Sequence, residues 1–304
     1  MADLLYMDID DSALPDPAAP LTASGNLRRR QVVNRLFEGT SSAAALLAVF
    51  VLGIVVYSVI KNGASVLSID FLTKAPPAFG AGGGIAPQIV GTALIVAAAT
   101  VIAMPFGILV AIYLTEFADK RAARVIRLAL DLLNGLPTIV VALFIFGLLV
   151  VGHGQKGIYA SIALAIIMLP LIARASQEVL LLVPQTLRDA ADALGVTRRR
   201  TVLGVVLPAA LGGIITGTVL AVARAAGETA PVLLISSIAA NQVNLNLAKA
   251  MPNIPVYIFN ASEQADPAGF ARAWGAALVL LAVILVANIG ARALFARSKA
   301  KMGG

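Results

Sequence analysis

The chain has 304 residues, 59% of them hydrophobic and only 13% charged, with a mean hydropathy of +0.91. An ordinary soluble domain carries about 25% charged residues, so a soluble globular fold is excluded and a single membrane domain with a short tail is expected. Cysteine is absent, which rules out a disulfide framework and a thiolate metal site. The net charge of +7 does not signal nucleic-acid binding, because Lys and Arg sit between apolar runs and not along a polar face.

Residues 1 to 27 are polar and acidic, with Asp3, Asp8, Asp10, Asp11 and Asp16 ahead of the first basic cluster. A secretory signal places its positive charge first, so this stretch reads as a tail. Taking about 20 mostly apolar residues per crossing, six helical spans are predicted, at roughly 43–60, 88–115, 125–151, 157–178, 201–228 and 273–296. Pro105, Pro137, Pro170 and Pro208 lie in or beside four of them, which predicts kinks or broken segments packed against protein. Basic residues are dense at Arg28 to Arg35, Lys120 to Arg127, Arg188 to Arg200 and Arg292 to Lys301, and sparse in the alternate segments, which hold Lys61, Lys74, Lys156, Lys249 and Arg272. By the excess of Lys and Arg on the cytoplasmic side, both termini and the 179–200 loop face the cytoplasm. The expected division is a tail at 1–39, a transmembrane domain at 40–297 with its main cytoplasmic loop at 184–200, and a short tail at 298–304.

Within that loop, Leu187, Ala190, Ala191 and Leu194 recur at helical spacing, Asp189 and Asp192 come early and Gly195 late. The stretch from Pro184 to Gly195 is therefore a short capped helix. Small Ala side chains and a Gly allow another chain to approach closely, as a docking element requires. The residues alone leave a second reading open, a connector that lies at the membrane surface and fixes topology through Arg198 to Arg200.

The spacing Asp189-Ala190-Ala191, three residues, Gly195, nine residues, Val205, one residue, Leu207-Pro208 resembles the E-A-A-x3-G-x9-I-x-L-P loop of ABC-importer permeases, with Asp for Glu and Val for Ile. "LPTIVVALF" (136–144), "LPLIARASQEVLLLVP" (169–184), "ARAAGETAPVLL" (223–234) and "MPNIPVYIFNASEQ" (251–264) extend the likeness, over about residues 40 to 296, to phosphate-specific permeases of the PstA type. The resemblance implies an all-α, six-span, MetI-like type I ABC importer permease fold in a bacterial cytoplasmic membrane. It also implies that Asp189, Ala190, Ala191, Asp192 and Gly195 form a coupling helix seated on an ATPase. The implied partners are a PstC-like second permease, two PstB-like ATPases and an extracytoplasmic PstS-like phosphate-binding protein. The chain has no G-x4-G-K-[ST] phosphate loop, so ATP and Mg are expected on the ATPase. No catalytic residue, metal or cofactor is expected in this chain. The "GAGGG" run at 80–84 reads as a flexible external turn.

An anion pathway needs fixed positive charge shielded from lipid. Arg174 with Glu178, and Arg224 with Glu228, are each spaced i, i+4, so on a helix each pair shares a face and can touch. One reading is self-neutralisation that keeps the helix insertable. In the other, each guanidinium offers paired donors to phosphate oxygens, and the carboxylate keeps binding weak enough for release. Counting about 1.5 Å per residue puts Arg174 roughly 24 Å along the fourth span, towards the cytoplasm, and Arg224 towards the outside. Thr229 and Ser236 line the pathway or bond back to their own helix. Asp131 and Asn134, before Gly135-Leu136-Pro137, read as kink stabilisers at a helix contact or as substrate contacts. His153, the only histidine, is a loop residue and no metal site. The segment 229–272 is the main external surface, a contact for the binding protein or the outer gate. Competing functions are a permease of the same architecture for sulfate, molybdate or an organic anion, an intramembrane enzyme, and a self-gating channel. An intramembrane enzyme needs metal ligands that the spans lack, and a channel has no use for the docking helix.

Overall fold

The computed structural model describes residues 27–77, 80, 82–236, 242–264 and 266–302. Residues 1–26 of the expected acidic tail (1–27) and 237–241 of the long external segment lie outside the described residues. Every regular element among them is helical, and the chain divides into two compact units, Met1–Val56 and Tyr57–Gly304.

The described residues of the first unit, 27–56, form most of α1 (Leu27–Gly63), whose long apolar run starts just after a basic cluster. None of its most apolar window is buried: Leu46 and Phe50 are exposed.

The second unit holds every residue of the predicted site. After the short α2 (Ile69–Thr73), α3 (Ala86–Ile112) begins on Pro87, whose missing N–H is no loss in a first turn, and closes in a π-helical turn, Tyr113–Phe117. It is followed by α4 (Lys120–Gly135), capped by Asp119, whose Oδ1 accepts the Ala122 N–H at 2.7 Å, and α5 (Thr138–Ile145) with a π-turn at Phe146–Val150. The remaining elements are α6 (Gly157–Leu181), α7 (Gln185–Ala193), α8 (Arg198–Thr201), a π-turn at Val202–Val206, α9 (Leu207–Ala226), α10 (Ala230–Ile235), α11 (Ile254–Glu263) and α12 (Pro267–Met302).

The core of this unit is built on α3, α6 and α9. On α3, Ala99, Ala103, Gly107 and Ala111 repeat every fourth residue, and a Cβ on Gly107 would lie 2.8 Å from Ile172 of α6. On α9, Gly213, Gly217, Ala221 and Ala225 repeat likewise, with Gly213 against Val179 and Gly217 against Ala175. In lipid, where apolar helices gain little by leaving the solvent, close backbone approach through small residues is a main source of packing energy. These two ridges clamp α6 from both sides.

Among the described residues five helices are long and apolar enough to span a membrane: 29–66, 86–117, 157–181, 198–226 and 267–290. They match five of the six expected spans, with ends displaced by several residues. The sixth, expected as one span over 125–151, is a pair, Lys120–Gly135 and Thr138–Val150, bent by 93°. The break falls at Leu136-Pro137, and of the two outcomes the proline suggested, a kink or a broken segment, it is the broken segment, turned through a corner. Pro105 and Pro170 lie within continuous helices, and Pro208 begins α9 directly after a π-turn. The corner at Pro137 decides where the charges of α4 end up.

Candidate functional site

Charged side chains gather at three places. The first is the end of α9. Arg224 occupies its last turn, where a cation faces the helix's unsatisfied carbonyls, and Gly227 ends the helix. Glu228 therefore does not stand one turn further along a helix, as its spacing suggested. The pair still forms, across the turn that follows the helix, with Arg224 Nε 3.7 Å from Glu228 Oε1. That separation is beyond hydrogen-bond length. Among the described residues the Arg224 guanidinium, 57% exposed, has no hydrogen-bond acceptor, whereas Glu228 is largely covered. Glu228 lines a small cleft with Thr92 of α3, Leu164 of α6, Ala225, Val232 and Asn253.

A polar lattice around that space fixes its walls. Thr92 Oγ1 donates to Gln88 O (2.8 Å) and accepts the Ile254 N–H (2.8 Å). Asn253 caps α11 by accepting the Val256 N–H (3.0 Å) and donates to Ser236 Oγ (2.8 Å), and Ser236 in turn donates to the Met251 carbonyl. Ser236 thus ties the returning segment down, and does not bond back to its own helix. Thr229 starts α10 through its carbonyl, which accepts the Leu233 N–H at 2.9 Å, and its side chain makes no cap. The segment around Leu247 to Lys249 is also anchored, since the Gly157 and Ile158 N–H groups donate to Lys249 O and Leu247 O at 2.9 Å.

The second place is the groove between α4 and α6, about 350 Å³, lined by Arg127, Leu130, Asp131, Arg174, Gln177, Glu178 and Leu181. The sequence spacing paired Arg174 with Glu178, but Arg174 pairs with Asp131 instead. The cause is the corner at Pro137: it lets α4 lie along α6, with Leu130 packed near Leu169 and Ala173, and so delivers Asp131 to Arg174. Among the described residues Glu178 has no ion-pair partner and faces the groove. Leu164 belongs to the first place and Arg174 to the second, so the two sites are separated by about 15 Å along α6.

The third place is α7, which follows the sequence expectation closely. It spans Gln185–Ala193 and ends on Gly195 at φ +67°, a left-handed conformation that glycine adopts without penalty. The Gly195 and Val196 N–H groups close the end by donating to Asp192 O and Ala191 O at 3.0 Å. Asp189, Ala190, Asp192, Ala193 and Leu194 are exposed and Ala191 is buried, so one face anchors the helix and the other is free. Asp189 Oδ1 accepts from Gln185 Nε2 at 3.1 Å.

Sequence reasoning passed over two further residues. Glu116, the one acid within the apolar run 86–117, is buried and accepts from Arg188 of α7. Its solitary charge in a span was the available signal. Arg272, counted only as an external charge, is also buried. It donates to the Gly80 and Gly82 carbonyls, to the Tyr257 hydroxyl on α11 (3.2 Å) and to Asp266 (3.3 Å). The glycine run expected as a flexible turn is thereby pinned at two carbonyls.

The binding-protein-dependent transport system inner membrane component family matches residues 103–300. The chain is 36% identical to the phosphate transport system permease protein PstA 1 of Mycobacterium tuberculosis (strain CDC 1551 / Oshkosh), over 92% of this chain and 94% of the relative. It is 37% identical to PstA of Yersinia pestis, over 89% and 92% respectively. The chain belongs to the PstA family. Like other PstA-type permeases it is a multi-pass inner-membrane subunit of an ABC transporter that works with an ATPase and a binding protein. Such subunits are not enzymes and bind no cofactor themselves. The fold is that of type I ABC importer permeases. A bacterial alginate ABC transporter in complex with its alginate-bound periplasmic protein superposes with a TM-score of 0.62 at 15% identity, over 88% of this chain and 96% of that one. An inward-facing MetNI methionine ABC transporter gives 0.56 at 18%, over 71% and 94%.

Proposed function

We propose that this chain forms half of the membrane pathway of an ATP-driven inorganic phosphate importer, beside a PstC-like permease, above two PstB-like ATPases and below a PstS-like binding protein. Residues 40–297 are the permease domain, both tails and the 184–200 loop are cytoplasmic, and α7 seats on an ATPase through Asp189, Ala190, Asp192 and Gly195, with Ala191 holding it from beneath.

The observation that carries the reading is Arg224, a guanidinium at the end of a packed helix with no hydrogen-bond acceptor among the described residues and a carboxylate at 3.7 Å. Its N–H groups match two phosphate oxygens at once. Glu228 lowers the net attraction, so the anion is held but not trapped. Its carboxylate can also accept the proton of a hydrogen phosphate, which sulfate does not carry. Thr229 supplies a hydroxyl beside the same site. Arg174 and Glu178, about 15 Å further along α6, receive the anion on the cytoplasmic side. Closure of the ATPases moves α7 and opens the Arg224 end outwards.

ATP-dependent uptake of labelled phosphate into vesicles holding the reconstituted complex tests this directly. Arg224→Gln is expected to lower uptake by about 100-fold, the loss of a charged hydrogen-bonding partner worth a few kcal/mol, while the complex assembles and hydrolyses ATP. Uptake at the wild-type rate removes Arg224 from the pathway. Equal inhibition by sulfate and by unlabelled phosphate overturns the role given to Glu228.

A further inference from the structure

The end of α3 and the start of the cytoplasmic loop are joined by a buried ion pair that the transport reading does not use. Glu116 lies in the π-turn Tyr113–Phe117, with only 5% of its surface exposed. Its Oε1 accepts from Arg188 Nη2 at 2.9 Å and Nε at 3.3 Å. The same guanidinium donates through Nη1 to Val183 O at 2.7 Å and through Nη2 to Leu180 O at 3.1 Å. One side chain of α7 therefore satisfies the open carbonyls at the end of α6 and grips the end of α3. The other carboxylate oxygen, Oε2, lies 3.9 Å from Arg198 Nη2 at the start of α8, and the Arg198 guanidinium sits 6.0 Å from the centre of the Phe117 ring. A single carboxylate thus grips α7 through Arg188 and lies beside the start of α8.

The alternative attachments of α7 are weak. It packs on α8 and the π-turn at Val202–Val206, and only Ala191 among its nine residues is buried. Its peptide link to α6 runs through Leu182, Val183 and Pro184. A force applied to the exposed face of α7 by these routes alone reaches α6 through three residues and α9 through a turn. Charge-assisted hydrogen bonds in a dry setting are short, directional and stiff. Removing one partner of such a buried pair strands the other.

We propose that Glu116 is a positioning residue for energy coupling: through Arg188 it makes α7 and the ends of α3 and α6 one rigid lever, so that movement of α7 is delivered to α3 as well as to α6 and α9. The proposal rests on the reading of α7 as the ATPase-docking element. Glu116 touches neither the docking face nor the anion, so its loss uncouples the two ends of the machine and leaves each intact.

The test uses the complete reconstituted complex and the ratio of phosphate transported to ATP hydrolysed. Glu116→Gln and Arg188→Gln are expected to co-purify with the ATPases, to hydrolyse ATP and to lower that ratio by about tenfold, within the range of coupling changes from single substitutions. The double variant should be no worse than either single one, because both remove the same link. The chain has no cysteine, so Glu116→Cys with Arg188→Cys, joined by a reducible bis-methanethiosulfonate in a complex without other accessible cysteines, replaces the ion pair by a covalent one. Cross-linking should restore the ratio and reduction should abolish it, which a role in local stability alone would not produce. A wild-type ratio in the single variants overturns the proposal, as does a cross-linked pair that stays uncoupled. Ala190→Arg separates this failure from that of the underlying reading: it should abolish co-purification with the ATPases. If it leaves binding and hydrolysis unchanged, α7 is not the docking element and the lever falls with it.

Discussion

Arg174 and Arg224 carry the same charge in the same apolar unit and are held differently. Among the described residues Arg224 has only a distant carboxylate, while Arg174 is engaged by Asp131 from another helix. Asp131 then occupies the place an incoming phosphate would take, and an anion reaching the α4–α6 groove must displace it. The expected consequence of Asp131→Asn is stronger retention of phosphate at this site, by about tenfold for the removal of one competing charge in a partly shielded groove. Equilibrium dialysis of the solubilised complex against labelled phosphate measures it. Weaker retention in Asp131→Asn would make Asp131 a strut that positions Arg174, and not its competitor. The sequence displayed both arginines and their i+4 glutamates. It did not display which acid each one meets, because a helical spacing fixes which side chains can touch within one helix and says nothing about a carboxylate arriving from another.

At the scale of elements, the helices that clamp one another are those with a small residue at every fourth position. Ala99, Ala103, Gly107 and Ala111 on α3, and Gly213, Gly217, Ala221 and Ala225 on α9, both face α6. Gly217→Val places branched carbon where Ala175 already lies, and the resulting overpacking should cost about 1–3 kcal/mol. Thermal unfolding of the solubilised protein should show a lowered midpoint for Gly217→Val and little change for Gly147→Val, whose added Cβ meets nothing within 4 Å among the described residues. Equal midpoints would show that the α6–α9 contact is not tight. Five spans were legible from the chain because a crossing demands about 20 apolar residues, and hydropathy measures that demand directly. The bent pair was legible only in part: Pro137 marked the break, but the apolar run 125–151 stays apolar around the corner and gave no sign of its angle. The signal lay just upstream, where Lys120, Arg121, Arg124 and Arg127 make α4 amphipathic, unlike the uniformly apolar helices around it. Helix α7 was legible to within a residue or two, since its proline start and glycine stop are local chemistry.

The whole molecule presents an unusual surface for a protein. Leu46 and Phe50 on α1, Val101 and Phe106 on α3, Leu220 on α9 and Val286 on α12 are all exposed, which water would penalise and a bilayer with partner helices would not. On the proposed topology, the density of Lys and Arg around α7 puts that helix on the cytoplasmic side. Because the chain contains no cysteine, each side can be marked singly without removing a native thiol. Leu194 follows α7 and is 82% exposed, and His153 lies in the exposed turn between the Phe146–Val150 π-turn and α6. A membrane-impermeant maleimide applied to spheroplasts should label His153→Cys and leave Leu194→Cys untouched, and inside-out vesicles should reverse the pattern. Leu194→Cys should then lose its reactivity when the ATPases are bound, because the residue sits at the edge of the docking face. Labelling of Leu194→Cys from the outside would invert the protein in the membrane, place α7 out of reach of any cytoplasmic ATPase, and assign Arg224 and Glu228 to the exit of the pathway and not its entrance.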